Sequence, residues 1–173
     1  MILRTCGVDE FIKRIEGKEL VCFGSGRLLT ELCYEFKDHS IERHITYIVD
    51  NNSTLWGTIK RIGNVEIAIE KPEMLYSTAT ENTVVLITCG GLYDLEVFED
   101  LSGRFDSMDI DCYFARFIRG IQSTITAYNA AKPHEDFRAI PVPVIPKKIH
   151  YCWVGGSPIP EKNMKCIESW KRF

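Results

Sequence analysis

The stretch Leu20-Val-Cys-Phe-Gly-Ser-Gly-Arg-Leu-Leu29 gives the strongest indication of the fold class in this chain of 173 residues. Its first four residues are uniformly apolar, as expected for a parallel strand that is covered on both faces. Gly24 and Gly26 allow a tight turn, and apolar residues at positions 28, 29, 32, 33 and 36 follow with helical spacing. The sequence therefore predicts a strand, a glycine turn and a helix in direct succession.

Strands and helices alternate through residues 1–130, which we expect to form one domain. A helix with apolar positions from Val8 to Ile15, closed by Gly17, is predicted before the first strand. Further strands are predicted at 45–49, 65–69, 84–87 and 110–114, with the third of the five alternating like an edge strand, and helices are predicted between them. This alternation predicts an α/β fold, a Rossmann-like parallel sheet ordered 3-2-1-4-5 with helices on both faces.

Glycine and polar residues follow three of these strands at the edge where ligands bind in such sheets. The two glycines after the first strand match the dinucleotide-binding fingerprint, whose third glycine is replaced by Leu29. Asp50 ends the second strand, where an acid would meet a ribose hydroxyl. The candidate cofactor-binding residues are Gly24, Ser25, Gly26, Asp50, Asn51, Cys89 and Gly90.

Three interpretations of this crevice stay open. The crevice binds a nucleotide, or it is the cofactor site of a dinucleotide-dependent oxidoreductase. Alternatively, its glycines only form tight turns in a ligand-free docking or dimerisation domain. The oxidoreductase lacks a recognisable catalytic pair, and Leu29 in place of the third glycine favours the docking domain over it. Cys89 has no histidine nearby in sequence to activate it, so we interpret it as a small residue at a strand end.

Composition excludes several classes of function. The formal charge of −3 and the scattered basic residues argue against nucleic-acid binding. Seven cysteines, without a Cys-x-x-Cys pair, indicate neither a disulfide framework nor a zinc site. Without a signal-type apolar core or an apolar run of ~20 residues, we expect no transmembrane segment and a cytoplasmic protein. Any membrane association would be peripheral, at the inner face of the membrane.

The residues after 130 differ from the alternating pattern before them. A proline-rich linker is predicted over 131–146, followed by an apolar strand at 149–153, a Gly155-Gly156 turn and a helix start at Pro158 and Pro160. One strand and one helix cannot complete a domain, because neither has a partner for its apolar face. We expect 147–173 to be the truncated start of a second domain that either stays mobile or packs against a second copy, forming a homodimer.

This last segment resembles the opening of the catalytic domain in a family of glycosyltransferases. The family includes enzymes related to yeast initiation mannosyltransferases, bacterial capsule and polysaccharide transferases and, more distantly, large clostridial glucosylating toxins. The match covers about thirty residues. The residues that carry it are Ile145, Pro146, Lys148, Ile149, His150, Trp153, Gly155, Gly156, Pro160, Cys166, Ser169 and Trp170.

The resemblance implies the first β-α unit of a GT-A fold and an N-terminal fragment of a nucleotide-sugar-dependent glycosyltransferase. The expected role is bacterial capsule or exopolysaccharide biosynthesis, with a glycan or lipid-linked acceptor. In such a pocket Trp153 would stack on the nucleotide base. The nucleotide-sugar-binding residues that the resemblance implies are Cys152, Trp153, Val154, Gly155 and Gly156.

The family also holds a divalent metal, Mg²⁺ or Mn²⁺, on an Asp-x-Asp element downstream of the opening strand. We expect that metal only in the full-length enzyme, and we expect this chain to be inactive alone. Asp109-Ile-Asp111 has the spacing but lies upstream, so we interpret it as a loop-to-strand junction rather than a metal site.

A second resemblance concerns the first domain. Phe23-Gly-Ser-Gly26, Ile48-Val-Asp-Asn51 and Leu55-Trp-Gly57 are similar to elements of small Rossmann-like domains attached to bacterial sugar-modifying transferases and some methyltransferases. The similarity implies an accessory module that either binds a nucleotide or only docks.

Overall fold

The structure is a computed structural model that describes residues 1–91, 93–130 and 158–170. The chain divides into two compact units, Met1–Lys132 and Pro133–Phe173. Within the described residues, the first unit contains one mixed β-sheet with helices packed on it, and the second contains one helix.

Seven strands form the sheet of the described residues, in the order β1-β7-β6-β2-β3-β5-β4. All neighbouring strands are parallel except β4 and β5, which pair antiparallel. The strands are β1 (Ile2–Arg4), β2 (Glu19–Phe23), β3 (Ile45–Val49), β4 (Thr58–Ile62), β5 (Val65–Glu70), β6 (Thr83–Ile87) and β7 (Asp111–Phe114).

The predicted α/β fold with a Rossmann-like sheet is confirmed. The five predicted strands are β2, β3, β5, β6 and β7, and they lie in the predicted order relative to one another. The order of the whole sheet differs, because β1 joins one edge and β4 joins the other. The interpretation of residues 65–69 as an edge strand was therefore wrong, since β4 pairs with residues 65–69 of β5.

The β4–β5 hairpin has a recognisable turn, which hydrophobic periodicity does not reveal. Ile62 pairs with Val65, so only Gly63 and Asn64 connect the two strands. Gly63 has a positive φ of 57°, as the favoured two-residue hairpin turns require. β4 itself gives a weak apolar signal, because Ile62 is its one buried residue.

The helices follow the predicted alternation. α1 gives way to a turn in which Gly17 adopts a left-handed φ of 72°, and α3 begins with Pro72 at its first position. None of the described helices has the length and apolarity needed to cross a membrane. The helices are α1 (Val8–Ile15), α2 (Arg27–Glu35), α3 (Pro72–Thr78), α4 (Tyr93–Arg104), α5 (Ala115–Ala130) and α6 (Glu161–Trp170).

The two faces of the sheet carry separate hydrophobic clusters, which explains why β2 is apolar throughout. Leu20 and Cys22 face the cluster that includes residues of α1, α2 and α5. Val21 and Phe23 face the cluster that includes residues of α3 and α4. Because successive side chains of a strand point to opposite faces, a strand covered on both sides needs an apolar residue at every position.

The second unit is described only over 158–170. α6 begins at Glu161, directly after Pro160, where the sequence predicted a helix start. The predicted linker at 131–146 and the predicted strand at 149–153 lie outside the described residues.

Candidate functional site

A cleft of about 770 Å³ lies at the carboxyl ends of β2, β3 and β6. β2 is the central strand at which the chain order reverses, with β3 on one side and β6 on the other. Open α/β sheets bind their ligands in the crevice at such a point. Residues that line the cleft include Gly24, Gly26, Asp50, Asn51, Cys89 and Gly90, which are six of the seven cofactor-binding candidates.

Gly24 is required by the close contact between two loops of the cleft. Its φ is +107°, which L side chains rarely adopt, and its amide donates to the Val49 carbonyl at 2.8 Å. A Cβ atom at this position would lie 3.1 Å from the Cys89 nitrogen and 3.3 Å from the Thr88 carbonyl carbon. The first glycine of the fingerprint therefore allows the β2–α2 loop to pass directly against the chain that follows β6.

Ser25, the seventh candidate, is buried and bound to the acid that follows β3. Its amide and its hydroxyl both donate to Asp50 Oδ2, at 2.7 Å and 2.6 Å. The main-chain amide of Asn52 donates to Asp50 Oδ1 at 2.9 Å. Asp50 was predicted to meet a ribose hydroxyl, and the structure shows that its carboxylate also holds the glycine loop in place.

The Asp50 carboxyl is kept ionised by its hydrogen bonds. Burial by itself would raise the pKa of this carboxyl, but the hydrogen bonds from Ser25 and Asn52 outweigh burial and lower the pKa below its usual value. The main chain of Asp50 is held as well, because the Trp56 indole donates to its carbonyl oxygen at 2.6 Å. A fixed negative charge therefore lies beside the turn that leads into α2.

Thr88 joins the loop after β6 to the loop after β2. Its amide donates to the Phe23 carbonyl at 2.8 Å, and its buried hydroxyl lies 3.0 Å from the same oxygen. The hydroxyl is also within hydrogen-bonding distance of the Gly24 carbonyl. These bonds fix the point from which Cys89 and Gly90 enter the cleft.

The Cys89 thiol is unsuited to nucleophilic chemistry at neutral pH. Burial, with the nearby carboxylates of Asp94 and Asp50, raises the pKa of this thiol to about 11. Because the thiolate is the reactive form, the thiol is protonated and unreactive near pH 7. This agrees with the interpretation of Cys89 as a small residue at the end of a strand.

Gly26 and Leu29 show how the altered fingerprint is accommodated. Gly26 is the N-cap of α2, and a Cβ atom added there would meet no atom within 4 Å. Leu29, at the position of the missing third glycine, is fully buried in the hydrophobic cluster that includes Leu20. The helix thus packs on the sheet through a large side chain, while the entrance to its first turn stays open.

Sequence reasoning missed the residues that the helices contribute to the cleft. Tyr93 and Glu96 lie at the start of α4, shortly after the predicted glycine loop, so their position could have indicated that they line the cleft. The remaining residues come from elements that are distant in sequence, and no local pattern marks them. The missed residues that bear charges or aromatic rings are Arg27, Glu31, Tyr76, Tyr93, Glu96, Asp100 and Arg119.

The two arginines of the cleft are both engaged in ion pairs. Arg27 binds Glu31 at 3.0 Å, and Arg119 binds Glu31 at 3.3 Å and Glu35 at 2.6 Å. On α4, Asp100 binds Arg104 at 2.8 Å. The Arg104 guanidinium also lies 4.2 Å from the centre of the Tyr76 ring, so this aromatic side chain is held at the cleft wall.

Other candidates fall elsewhere. Asp111 begins β7, at the edge of the sheet opposite the cleft, and binds Arg4 at 2.8 Å and Lys18 at 3.7 Å. In the part of the chain that the structure describes, no three His, Cys, Asp or Glu residues come together as metal ligands. The proposed nucleotide-sugar-binding residues, Cys152, Trp153, Val154, Gly155 and Gly156, lie outside the described residues.

Comparison with protein families and with curated proteins identifies no relative of this chain. No model of a known protein family matches the chain, and no curated protein sequence matches it. We therefore infer the function from the geometry of the cleft and from the sequence resemblances.

Proposed function

We propose that the Met1–Lys132 unit is an accessory domain that binds a nucleoside-containing small molecule in the cleft. The observation that carries this proposal is the convergence of the glycine turn, Asp50 and the Thr88–Gly90 segment on one crevice at the switch point of the sheet. The cleft volume of about 770 Å³ falls within the range of roughly 300–1,000 Å³ that small-molecule sites occupy.

Two features of the cleft suit a nucleoside. Tyr93 is 67% exposed at the start of α4 and presents an aromatic ring on which a base can stack. Base stacking on an aromatic side chain contributes about 1–3 kcal/mol. Asp50 stands where a carboxylate accepts a hydrogen bond from a ribose hydroxyl in folds of this kind.

The larger protein that this domain serves is, in our proposal, a cytoplasmic nucleotide-sugar-dependent glycosyltransferase of capsule or exopolysaccharide biosynthesis. The support is the resemblance of residues 145–170, and the helix α6 begins where that resemblance places its first helix. Trp153 and the turn after it would hold the nucleotide-sugar donor. A divalent metal would bind to an Asp-x-Asp element of the full-length enzyme and balance the charge of the donor diphosphate.

A ligand-free docking domain is the second candidate. It is favoured by the hydrogen bonds of Asp50, since Ser25 and Asn52 already use three of the acceptor positions of its carboxylate. A domain of this kind would have its loops held internally and would bind a protein partner through another surface.

A thermal-shift screen of the purified chain separates the two candidates. The panel contains NAD, NADP, S-adenosylmethionine, UDP, GDP, nucleotide sugars and free nucleosides at millimolar concentration. A ligand at 100 times its Kd stabilises the folded state by about 2.7 kcal/mol. If no ligand raises the melting temperature, the docking domain is favoured and the binding proposal fails.

Gly26→Val tests whether a ligand found in this way occupies the cleft. The added side chain would extend into free space beside the first turn of α2, so we expect an intact fold and loss of the thermal shift. Gly103→Val is the matched control, because Gly103 lies in α4 outside the cleft lining and also has free space around it. A shift that persists in the Gly26 variant would place the ligand elsewhere.

Trp153→Ala tests the glycosyltransferase assignment in the full-length protein. We expect donor affinity to fall by about tenfold or more, since stacking contributes roughly 1–3 kcal/mol. The control is Tyr34→Ala, which removes an aromatic side chain that is 81% exposed on α2 and outside the cleft lining. Unchanged donor affinity in the Trp153 variant would refute the assignment of the donor site.

A further inference from the structure

We infer that the cleft selects nucleosides with an uncharged or cationic substituent and discriminates against nucleoside diphosphates and dinucleotides. The inference rests on the proposed function, because it names the chemical class that the same cleft would bind. Its basis is the position of the Asp50 carboxylate on the glycine turn, together with the excess of acidic residues around the cleft.

The glycine turn already holds an anion that belongs to the protein. In dinucleotide-binding folds, main-chain amides at the start of the first helix bind the pyrophosphate. Here the Ser25 amide donates to Asp50 Oδ2 at 2.7 Å, and the Ser25 hydroxyl donates to the same oxygen at 2.6 Å. A phosphate that approached the Ser25 amide would therefore meet an ionised carboxylate.

The charges that line the cleft add to this repulsion. Two lining residues are basic, Arg27 and Arg119, whereas four are acidic, giving an excess of two acids. Both arginines bind Glu31 and so are partly neutralised. Counting the neighbouring partners Glu35 and Arg104 leaves the excess unchanged, because they carry opposite charges. The four acidic lining residues are Glu31, Asp50, Glu96 and Asp100.

The same groups favour a ligand without phosphate. A carboxylate has about four acceptor positions, and the hydrogen bonds from Ser25 and Asn52 use three of those of Asp50, which leaves one for a ribose hydroxyl. Glu96 and Asp100 lie four residues apart on α4, so they share one face of the helix at the cleft wall. The Glu96 carboxylate attracts a cationic substituent and repels an anionic one. Asp100 adds less, because Arg104 binds it at 2.8 Å and the Tyr76 hydroxyl donates to it at 3.3 Å.

The test compares ligands that differ in charge and share a base. Calorimetric titration of the purified chain would use adenosine, S-adenosylmethionine, ADP and the dinucleotide NAD, with the pairs uridine and UDP, and guanosine and GDP. For the base that binds, we expect the nucleoside to bind at least about tenfold more tightly than its diphosphate, which corresponds to ~1.4 kcal/mol. The difference should shrink as salt is raised, because ions screen repulsion at an open cleft.

A double variant identifies the source of the selectivity. Glu96→Gln with Asp100→Asn should tighten diphosphate binding by about fivefold to tenfold relative to nucleoside binding. The control is Glu16→Gln with Glu81→Gln, which removes two exposed acids that precede β2 and β6 at the other end of the sheet. The control should leave both affinities unchanged.

The outcomes separate the inference from the proposed function. If a diphosphate or dinucleotide binds the cleft as tightly as the nucleoside, the charge selectivity is refuted and the binding function stands. If the double variant leaves the diphosphate affinity unchanged relative to that of the nucleoside, the acids of α4 do not exclude phosphate and the inference fails. If neither nucleosides nor nucleotides bind, the proposed function fails, and the inference fails with it.

Discussion

The two loops that meet in the cleft are both rich in glycine, but they use it differently. In the β2–α2 loop, Gly24 is confined against Thr88 and Cys89, and Ser25 is held by the Asp50 carboxylate. In the loop after β6, Thr88 is anchored, whereas a Cβ atom at Gly90 would meet no atom within 4 Å. Glycine is thus needed for close packing in one loop and leaves free space in the other. The positions of glycines in the sequence do not distinguish these two roles.

Gly24→Ala should have the largest effect on stability, and it tests the difference between the two loops. The substitution places a Cβ atom 3.1 Å from the Cys89 nitrogen at a φ of +107°, so it should lower the free energy of unfolding by about 1–3 kcal/mol. Gly90→Ala is the matched control and should change it by less than about 0.5 kcal/mol. Urea denaturation measures both, and equal losses at the two positions would contradict the contrast.

Asp50→Asn should have the next largest effect. Hydrogen bonds to charged groups contribute about 1.5–3 kcal/mol, and we expect about 1.5 kcal/mol because Asp50 is partly exposed and asparagine can still accept. Asp106→Asn, at an exposed aspartate after α4, serves as the control and should change stability by less than about 0.5 kcal/mol.

The Asp50 effect should depend on pH in a defined direction. The folded state lowers the pKa of Asp50 below its usual value of 3.8, so the folded state binds this proton less readily than the unfolded state. The stabilisation is therefore fully present above that usual value and is lost as pH falls through the folded pKa. Denaturation from pH 7 to pH 3 should show the stability difference between wild type and variant shrinking at the acid end. A constant difference would refute the ionic role of Asp50.

Thr88→Val tests the connection between the two loops. The substitution keeps the shape of the side chain and removes the hydroxyl from the Phe23 and Gly24 carbonyls, so we expect a loss of about 1 kcal/mol. Thr30→Val, at an exposed position of α2, controls for the change of side chain. An undiminished stability in the Thr88 variant would show that the main-chain bonds alone hold the loops together.

The last prediction concerns the reactivity of the Cys89 thiol instead of the stability of the fold. Its thiol has a pKa of about 11 against an ordinary value of 9.0, so its thiolate fraction near pH 7 is about 100-fold lower. Iodoacetamide labelling followed by mass spectrometry should show slow modification of Cys89 at pH 7 and faster modification as pH rises toward 11. Rapid labelling at pH 7 would reopen the interpretation of Cys89 as a nucleophile.

The sequence was sufficient for the parallel core of the fold and insufficient for its edges. β2, β3, β6 and β7 are mostly buried and mostly apolar, and such runs identify strands that are covered on both faces. β4 has mostly exposed residues, so its pairing with β5 depends on the Gly63-Asn64 turn instead of burial. Edge strands in contact with solvent need little apolar character and escape a search for hydrophobic pattern.

The candidate site shows a similar division. The loop residues could be predicted, because the carboxyl ends of parallel strands meet at one edge of the sheet. The contributions of Tyr76 and Arg119 could not, because they depend on how α3 and α5 pack on the two faces. The hydrogen bond between Asp50 and Ser25 could not be predicted from the sequence either, because it joins residues 25 positions apart. It changes the expected role of the acid.

The indole of Trp56 gives this domain an internal optical reporter. Trp56 is the one tryptophan among residues 1–130, and its ring nitrogen donates to the main-chain oxygen of the same Asp50 that holds the glycine loop. With Trp153 and Trp170 replaced by phenylalanine, the tryptophan fluorescence of the chain would come from this ring alone. Any rearrangement of the Asp50 peptide group would then change the emission spectrum, so that events in the cleft could be followed without a label.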